Sequence, residues 1–264
     1  MGKVFDLDSP LMRALSKMAD IIWLNLLTLL FFVPAIVLFS VLVSVNAPLV
    51  LVFVITWLAG LLVGPAYTGL HYVLLKMVRN EEGYITKSFF KSFRENFRQS
   101  VILAAVVVLV AGILVADLYL LTTASLNGFP SAFRVPILVV AIYLFLVSLW
   151  IFPLEARFVN KVTGTLKNAF FVSILAFPRT LGMGAVTLLP LILYYFFGIS
   201  LIPFLIMFGI AAPAYVCALL YNKTFKRFEP EEEPVRDEAF SIDEELPQET
   251  GDKGDTDREN TGEA

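Results

Sequence analysis

The stretch YITKSFFKSFRENFRQSVILAAVVVLVAGILVADLYLLTT, residues 84–123, changes character near its middle. Residues 84–100 interleave phenylalanine with lysine and arginine, whereas residues 101–123 carry one charged side chain, that of Asp117. About 20 consecutive apolar residues are enough for a helix to cross the roughly 30 Å hydrocarbon core of a bilayer. Residues 101–123 are therefore predicted to form a transmembrane helix.

Similar apolar runs recur on both sides of this stretch. The chain of 264 residues is 58% hydrophobic and 16% charged, whereas soluble globular domains have about 45–50% apolar and about 25% charged residues. The first run is longer than the apolar region of a signal peptide, and it is predicted to remain as a span. Apolar length and breaking residues predict spans near residues 19–45, 49–77, 101–123, 136–154, 181–197 and 199–221. The predicted fold class is an all-α, polytopic helical membrane protein with about six transmembrane helices and cytoplasmic interfacial helices.

The basic residues lie almost entirely in every second connection between these spans. If the N-terminus is cytoplasmic, 16 basic residues fall on the cytoplasmic side and Arg134 alone falls on the opposite side. Cytoplasmic loops of membrane proteins carry an excess of lysine and arginine. Both termini are therefore predicted to be cytoplasmic.

The C-terminal segment differs in composition from the rest of the chain. Residues 229–264 contain 15 acidic and 3 basic residues, whereas residues 1–228 contain 8 acidic and 17 basic residues. A segment with so much charge and so few large apolar residues cannot bury enough surface to offset the entropy of ordering. We expect a helical transmembrane domain over residues 1–228 and a disordered acidic cytoplasmic tail over residues 229–264.

Residues 85–98 form two separate stripes when they are placed on a helix. Ile85 and four phenylalanines fall within an arc of roughly 140°, and four basic residues fall within a separate arc of roughly 60°. This pattern predicts a membrane-surface helix, with its phenylalanines in the bilayer and its cations near anionic lipid headgroups. The alternative is a helix that docks on a protein partner through the same residues. The residues concerned are Lys87, Phe89, Phe90, Lys91, Phe93, Arg94, Phe97 and Arg98.

Nucleic-acid binding is not expected from this stretch. Proteins that bind single strands combine exposed aromatic residues with cations along one groove. Here the aromatic and basic residues point away from each other, so a nucleic-acid partner is not predicted.

Two further patterns leave alternatives open. Proline and glycine interrupt nearly every span, which is typical of kinked packing helices and also of broken helices that line a transporter site. The positions are Pro34, Gly64, Pro65, Pro153, Pro190, Pro203 and Pro213. The loop after the fourth span partly repeats the opening stretch with an offset of 81, which suggests a parallel repeat of span, interfacial helix and span. That alignment matches Gly83, Phe89, Phe90, Ser92 and Arg98 with Gly164, Phe170, Phe171, Ser173 and Arg179.

Four polar residues are candidates for membrane depth: Asn25, His71, Asp117 and Glu155. An ionisable group at the bilayer centre costs about 2.5–3.5 kcal/mol on insertion scales, so a group at that depth needs a functional explanation. His71 and Glu155 lie close to basic residues in the sequence, and we expect them near the cytoplasmic interface. Asp117 is the deepest acid, and it is interpreted either as a residue facing water or the outer leaflet, or as an ion or proton site.

Residue types that carry catalysis or bind metals are sparse. Cys217 is the only cysteine and His71 the only histidine, and the two lie 146 positions apart, so neither a metal site nor an intrachain disulfide is predicted. No hydrolase, kinase, P-loop or dinucleotide motif occurs. We therefore expect no catalytic residues, no cofactor and no enzymatic activity.

Two segments of the chain resemble a known family. GPAYTGLHYVLLKMVRNEEGYITKSFFKSFRENFRQS, residues 64–100, and DSPLMRALSKMADIIWLNLLTLLFFVP, residues 8–34, are similar to the YesL-like family of bacterial integral membrane proteins, a domain of unknown function. The resemblance continues more loosely to about residue 225 and does not include the acidic tail. The apolar stretch between the two segments is longer than is usual in the family. The match is carried by Gly64, Pro65, Tyr72, Lys76, Arg79, Gly83, Phe89, Phe90, Phe93, Asn96 and Phe97.

The resemblance implies a location in a bacterial cell membrane and an accessory role in sugar uptake. Members of the family are often encoded beside carbohydrate ABC transporters and sensor kinases. The leading hypothesis is therefore an accessory or regulatory component that contacts an ABC sugar permease or a sensor kinase. The alternative is a small transporter or channel, which the interrupted spans, the repeat and Asp117 favour.

Overall fold

The computed structural model describes residues 10–81, 83–123 and 134–229, and helices account for nearly all of them. No β-strand occurs within these ranges, which confirms the predicted all-α fold class. The predicted acidic tail lies outside the described residues except for Glu229, and its disorder stays a prediction.

Ten α-helices and one 3-10 turn follow one another along the described ranges. The helices range from 7 to 35 residues in length, and several long apolar runs are divided at glycine or proline. The helices are α1 (Pro10–Ser44), α2 (Leu49–Gly60), α3 (Val63–Arg79), α4 (Ile85–Glu95), α5 (Phe97–Thr123), α6 (Arg134–Arg157), α7 (Val162–Leu175), α8 (Phe177–Phe197), the 3-10 turn Gly198–Leu201, α9 (Ile202–Phe208) and α10 (Ala211–Phe225).

Five segments of the described chain are long and apolar enough to cross a membrane. They correspond to the first five predicted spans, and the second of them consists of α2 and α3 in series. Pro65 lies in the first turn of α3, where a missing N–H costs little because those groups have no intrahelical acceptor. The five segments are Leu11–Ser44, Leu49–Arg79, Phe97–Tyr119, Val135–Arg157 and Phe177–Phe208.

The predicted sixth span, 199–221, is not one helix. α9 ends at Phe208 and α10 begins at Ala211. Pro213 explains the break, because its nitrogen carries no hydrogen to donate to the carbonyl of Gly209 four residues earlier. The predicted sixth span is therefore divided: α9 falls within the fifth segment, Phe177–Phe208, and α10 follows as a separate helix of 15 residues.

The final helix, α10, runs antiparallel to α8. Thr187 Oγ1 of α8 lies 3.7 Å from Cys217 Sγ of α10, whereas Leu191, four residues further along α8, lines a cavity with Gly209. The chain therefore reverses between α8 and α10, and α10 returns to the end of the bundle where α8 begins, since Arg179 Nη1 donates to Thr224 Oγ1 there at 2.8 Å. We term this the basic end, since α3, α6 and α10 all finish there with lysine or arginine in their last turn.

α4 packs against α3 and α1. Phe89 is fully buried, and its ring lies beside Gly69 of α3, where an added Cβ would come within 3.2 Å of it. The ring of Phe31 from α1 stacks on Phe89 with 6.3 Å between centroids, and it lies 4.9 Å from Phe93. The assignment of Phe89 to a lipid or partner contact is therefore corrected. This phenylalanine belongs to the core, because α1 and α3 cover it.

The other phenylalanines and the basic residues of the opening stretch differ in exposure. Phe90 and Phe93 are half-buried and Phe97 is exposed, while the four basic side chains are all exposed. Lys91 Nζ lies 4.0 Å from Glu95 Oε1 one turn further along α4. The cations are therefore available at the surface of the basic end, and the aromatic side is only partly available.

Two successive groups of three helices have the same arrangement. The first repeat is α3–α4–α5 and the second repeat is α6–α7–α8. In each repeat the short middle helix ends at a kink, at Asn96 (φ −100°, ψ 4°) and at Ala176 (φ −106°, ψ 33°). An offset of 80 brings buried residues onto buried residues, so the structure supports a repeat and moves its register from 81 to 80. Phe89, Ser92, Ser100, Leu103 and Ala104 correspond to Ala169, Val172, Thr180, Met183 and Gly184.

Candidate functional site

Asn25 of α1 holds the break between α9 and α10. Its Nδ2 donates to the carbonyl oxygens of Leu205 at 3.3 Å and Ile206 at 2.7 Å, and its Oδ1 accepts from the N–H groups of Ile210 and Ala211, both at 2.8 Å. The side chain is fully buried. A freed backbone group inside a membrane needs a protein partner, because water is absent there. Asn25 therefore satisfies both sides of the break.

A central cavity of about 380 Å³ lies where three helix interruptions meet. Its walls include Gly60 at the α2–α3 break, Pro190 inside α8 and Gly209 at the α9–α10 break. The lining is apolar apart from two hydroxyl side chains, Tyr67 and Thr187. The interpretation in which broken helices line a site thus has a physical counterpart in this cavity.

A polar cluster lies beside the central cavity, between α3 and α10. His71 Nδ1 is 3.2 Å from the Tyr221 hydroxyl, and the His71 ring packs edge-on against Tyr67 with 4.6 Å between centroids. His71 is 2% exposed, and its Nε2 has no hydrogen-bond partner among the described residues. The bundle itself therefore shields this imidazole from solvent.

Glu155 joins the two repeats at the basic end. Its Oε2 accepts from Gln99 Nε2 of α5 at 2.6 Å and from Thr165 Oγ1 of α7 at 3.4 Å, and the carboxyl group is buried. Gln99 also donates to the carbonyl oxygen of Asn160 at 2.7 Å. A buried carboxylate with several donors is held in one position, so Glu155 fixes the ends of α5, α6 and α7 to one another.

Asp117 lies apart from these groups. It is exposed on α5, and it lines neither the central cavity nor a smaller apolar cavity of about 330 Å³ between α5 and α6. The interpretation of Asp117 as an ion or proton site is therefore not supported by contact with an internal cavity.

A groove of about 980 Å³ lies between α1 and α4 at the basic end. Trp23 Nε1 donates to Thr86 Oγ1 at 2.8 Å, and Lys17 Nζ donates to Asn80 Oδ1 at 3.1 Å. These two bonds hold α1 beside the start of α4 and the end of α3. Three cations from α4 line the groove: Lys87, Lys91 and Arg94.

The amino-acid sequence identifies some of these buried polar residues but not others. It indicates Asn25, His71 and Glu155, and all three are buried. It does not indicate Gln99, because nothing local links this residue to Glu155, 56 positions away. Tyr67 could have been found, since it precedes His71 by four residues and so lies on the same face of α3. Among the described residues, no group of three or more His, Cys, Asp or Glu side chains could hold a metal ion.

These features define the class of protein as a polytopic helical membrane protein. Residues 21–118 match a family model described as "Protein of unknown function, DUF624", a region that begins within α1, ends within α5 and includes most of the first repeat. No curated protein and no solved structure matches the chain. The matched family is one of unknown function and is compatible with the YesL-like resemblance.

Proposed function

We propose that the chain is an accessory or regulatory membrane protein that binds a membrane-embedded partner through α7 and the start of α8. The surface concerned is termed the α7 apolar face. The proposed partner is the permease of a carbohydrate ABC transporter or its sensor kinase, and the family resemblance is what supports that choice. The α7 apolar face comprises Phe170, Phe171, Ile174, Leu175 and Phe177, whose side chains are 44–72% exposed.

The difference between the repeats carries this proposal. With the offset of 80, Phe171 and Ile174 occupy the positions of Lys91 and Arg94, and all four side chains are exposed. The first repeat thus presents cations where the second presents large apolar groups. Aromatic residues are enriched in the centres of protein interfaces and charged residues are depleted there. The second repeat therefore has the composition of a docking surface.

The α7 apolar face is also held in place before any partner binds. Tyr143 of α6 packs edge-on against Phe170 with 5.6 Å between centroids, and its hydroxyl lies 3.4 Å from Ser173 Oγ. A surface that is already ordered loses less conformational entropy on binding. Phe170 and Ile174 are spaced as i and i+4, which is the spacing that helices use to anchor in a groove.

The proposed location is a bacterial cell membrane with both termini in the cytoplasm. The excess of lysine and arginine at the basic end supports this orientation, because cytoplasmic loops carry that excess. On this orientation, α7 begins at the cytoplasmic end of the bundle, because it follows directly on the basic end of α6.

Site-specific crosslinking in native membranes tests the docking proposal. A photoreactive residue placed at Phe171 or Ile174 is expected to form an adduct with one membrane protein, which mass spectrometry identifies. The same residue at Leu189, an exposed position on α8, is the control and is expected to label lipid only. A photoreactive residue placed at Phe170 is expected to form the same adduct. The variant Phe171→Lys with Ile174→Arg, which gives the second repeat the charges of the first, is expected to abolish it. Lipid adducts alone at Phe171 and Ile174 would contradict the proposal.

The second candidate function is a small transporter or channel. The central cavity supports it, since interrupted helices meet there and transporter sites are often built from broken helices. Reconstituted protein would then carry a flux of sugars, ions or protons, and Tyr67→Phe with Thr187→Val should lower that flux. Asp117→Asn is the matched control, because Asp117 does not line the cavity. Correctly folded protein with no flux would remove this candidate.

A further inference from the structure

The groove between α1 and α4 combines several groups that bind anions. Lys87, Lys91 and Arg94 recur at three- and four-residue spacing on α4, so their side chains share one face. All three are exposed. Two carboxyl groups, those of Asp20 and Glu95, also line the groove. The lining therefore has more positive than negative side chains and offers acceptors as well as donors.

α4 begins inside this groove. The backbone N–H groups of Ile85, Thr86 and Lys87 come before the first intrahelical acceptor, and Tyr84 at the N-cap position provides no side-chain hydrogen bond. Unsatisfied N–H groups and the helix dipole favour an anion at a helix N-terminus. The backbone thus adds to the three cations at the same wall.

The groove also has an aromatic rim and an apolar exit. Trp23 and Tyr84 both line it and are exposed, and these two residue types are enriched at membrane–water boundaries. Leu26 and Leu30 are exposed on the same face of α1 as Trp23, one and two turns further from the basic end. Together these residues form a path from the charged groove to the apolar length of α1.

We propose that this groove binds one anionic phospholipid. The headgroup phosphate contacts Lys87 and the N-terminus of α4, Lys91 and Arg94 add positive charge further along the same wall, and an acyl chain lies along Leu26 and Leu30. The carboxyl groups of Asp20 and Glu95 favour a headgroup with hydroxyl groups, as in phosphatidylglycerol, because carboxylates accept hydrogen bonds. This site goes beyond a general surface contact of α4, since α1 supplies one of its walls. It is also separate from the α7 apolar face.

Lipid titration of the full chain tests the site. Protein purified in mild detergent is mixed with phosphatidylglycerol or phosphatidylcholine, and native mass spectrometry counts the bound lipids. One phosphatidylglycerol should bind per chain, with phosphatidylcholine at least roughly fivefold weaker, since one lysine or arginine near an anionic headgroup contributes about that factor. The variant Lys87→Gln, Lys91→Gln, Arg94→Gln should lose this preference.

A matched control separates the groove from overall charge. Lys161→Gln, Lys223→Gln, Lys226→Gln removes three exposed cations of the basic end that do not line the groove. This variant should bind phosphatidylglycerol as the unmodified chain does, and Lys87→Arg with Lys91→Arg should bind it too.

Equal losses in the two triple variants, or equal binding of the two lipids, would overturn the proposal. Displacement of the lipid by inorganic phosphate would also overturn it, because a free phosphate would then be the ligand. Crosslinking at Phe171 should be unchanged in the groove variant, so failure of one proposal leaves the other standing.

Discussion

The first and second repeats share a buried framework and differ in what they expose. Each has a kink before its last helix and a buried hydroxyl four residues after the kink, at Ser100 and at Thr180. On the outside, Lys91 and Arg94 are replaced by Phe171 and Ile174. The framework therefore fixes the geometry of each repeat, while the exposed face determines its contacts.

The two middle helices also differ in their neighbours. α1 crosses α4 and stacks Phe31 on Phe89, whereas the position equivalent to Phe89 is the small residue Ala169. α7 instead receives Tyr143 from within its own repeat. The additional helix α1 thus creates a groove in the first repeat, and the second repeat keeps an uncovered apolar face.

The largest expected difference between the repeats is at α4 and α7. Phe89→Ala removes a fully buried ring between α1 and α3, and such truncations cost about 3–5 kcal/mol of unfolding free energy. Phe170→Ala truncates an exposed ring, and surface substitutions change stability by about 0.5 kcal/mol or less. Denaturant unfolding in detergent measures both. Similar losses for the two variants would show that α7 is covered as α4 is.

Two glycines at which helices approach closely give the next comparison. A Cβ on Gly64 would overlap the Ser100 carbonyl oxygen, and the backbone of α5 cannot yield, so Gly64→Ala should cost about 3 kcal/mol. A Cβ on Gly184 would meet Leu146 Cδ2 at 2.9 Å, the end of a flexible side chain, so Gly184→Ala should cost about 1 kcal/mol. The same unfolding assay ranks them. A Gly184→Ala variant as unstable as Gly64→Ala would mean that α6 and α8 are as closely fixed as α3 and α5.

The third comparison concerns the contact of Asn25 in α1, a helix that lies outside both repeats. Asn25→Ala removes the donors and acceptors at the α9–α10 break, and it should cost about 2 kcal/mol, since polar bonds between membrane helices average about 0.6 kcal/mol each. Ser40→Ala is the control, because its hydroxyl bonds only within α1. Equal stability of Asn25→Ala and Ser40→Ala would show that the break is satisfied without Asn25.

Sequence reasoning predicts the spans because apolar length is a local property. It also separates the cations of α4 from its phenylalanines, since helical spacing is local. It fails at Phe89, because the helix that covers this ring, α1, comes more than 40 residues earlier in the chain. The groove and the Glu155–Gln99 pair were missed for the same reason: their partners come from helices that only the fold brings together.

The smallest expected difference in unfolding free energy is between variants of the two hydroxyl residues that follow the kinks, Thr180 and Ser100. Thr180 Oγ1 accepts from Trp150 Nε1 at 2.9 Å, and Trp150 is fully buried, so Thr180→Val leaves a buried donor without its acceptor and should cost about 1–3 kcal/mol. Ser100→Ala also removes a bond, that to Thr68 Oγ1 at 2.8 Å. The Thr68 hydroxyl still donates to the Gly64 carbonyl oxygen at 3.1 Å, so this loss should be about 0.5 kcal/mol.

A double variant isolates the cause of that difference. Trp150→Phe in the Thr180→Val background removes the orphaned donor, so the double variant should be less destabilised than the sum of the two single variants. Unfolding curves of the four proteins measure this coupling. If the two losses simply add, the Trp150–Thr180 bond contributes nothing, and the second repeat is held at its kink by apolar packing and by the bonds from Thr180 Oγ1 to the carbonyl oxygens of Ser173 and Ala176.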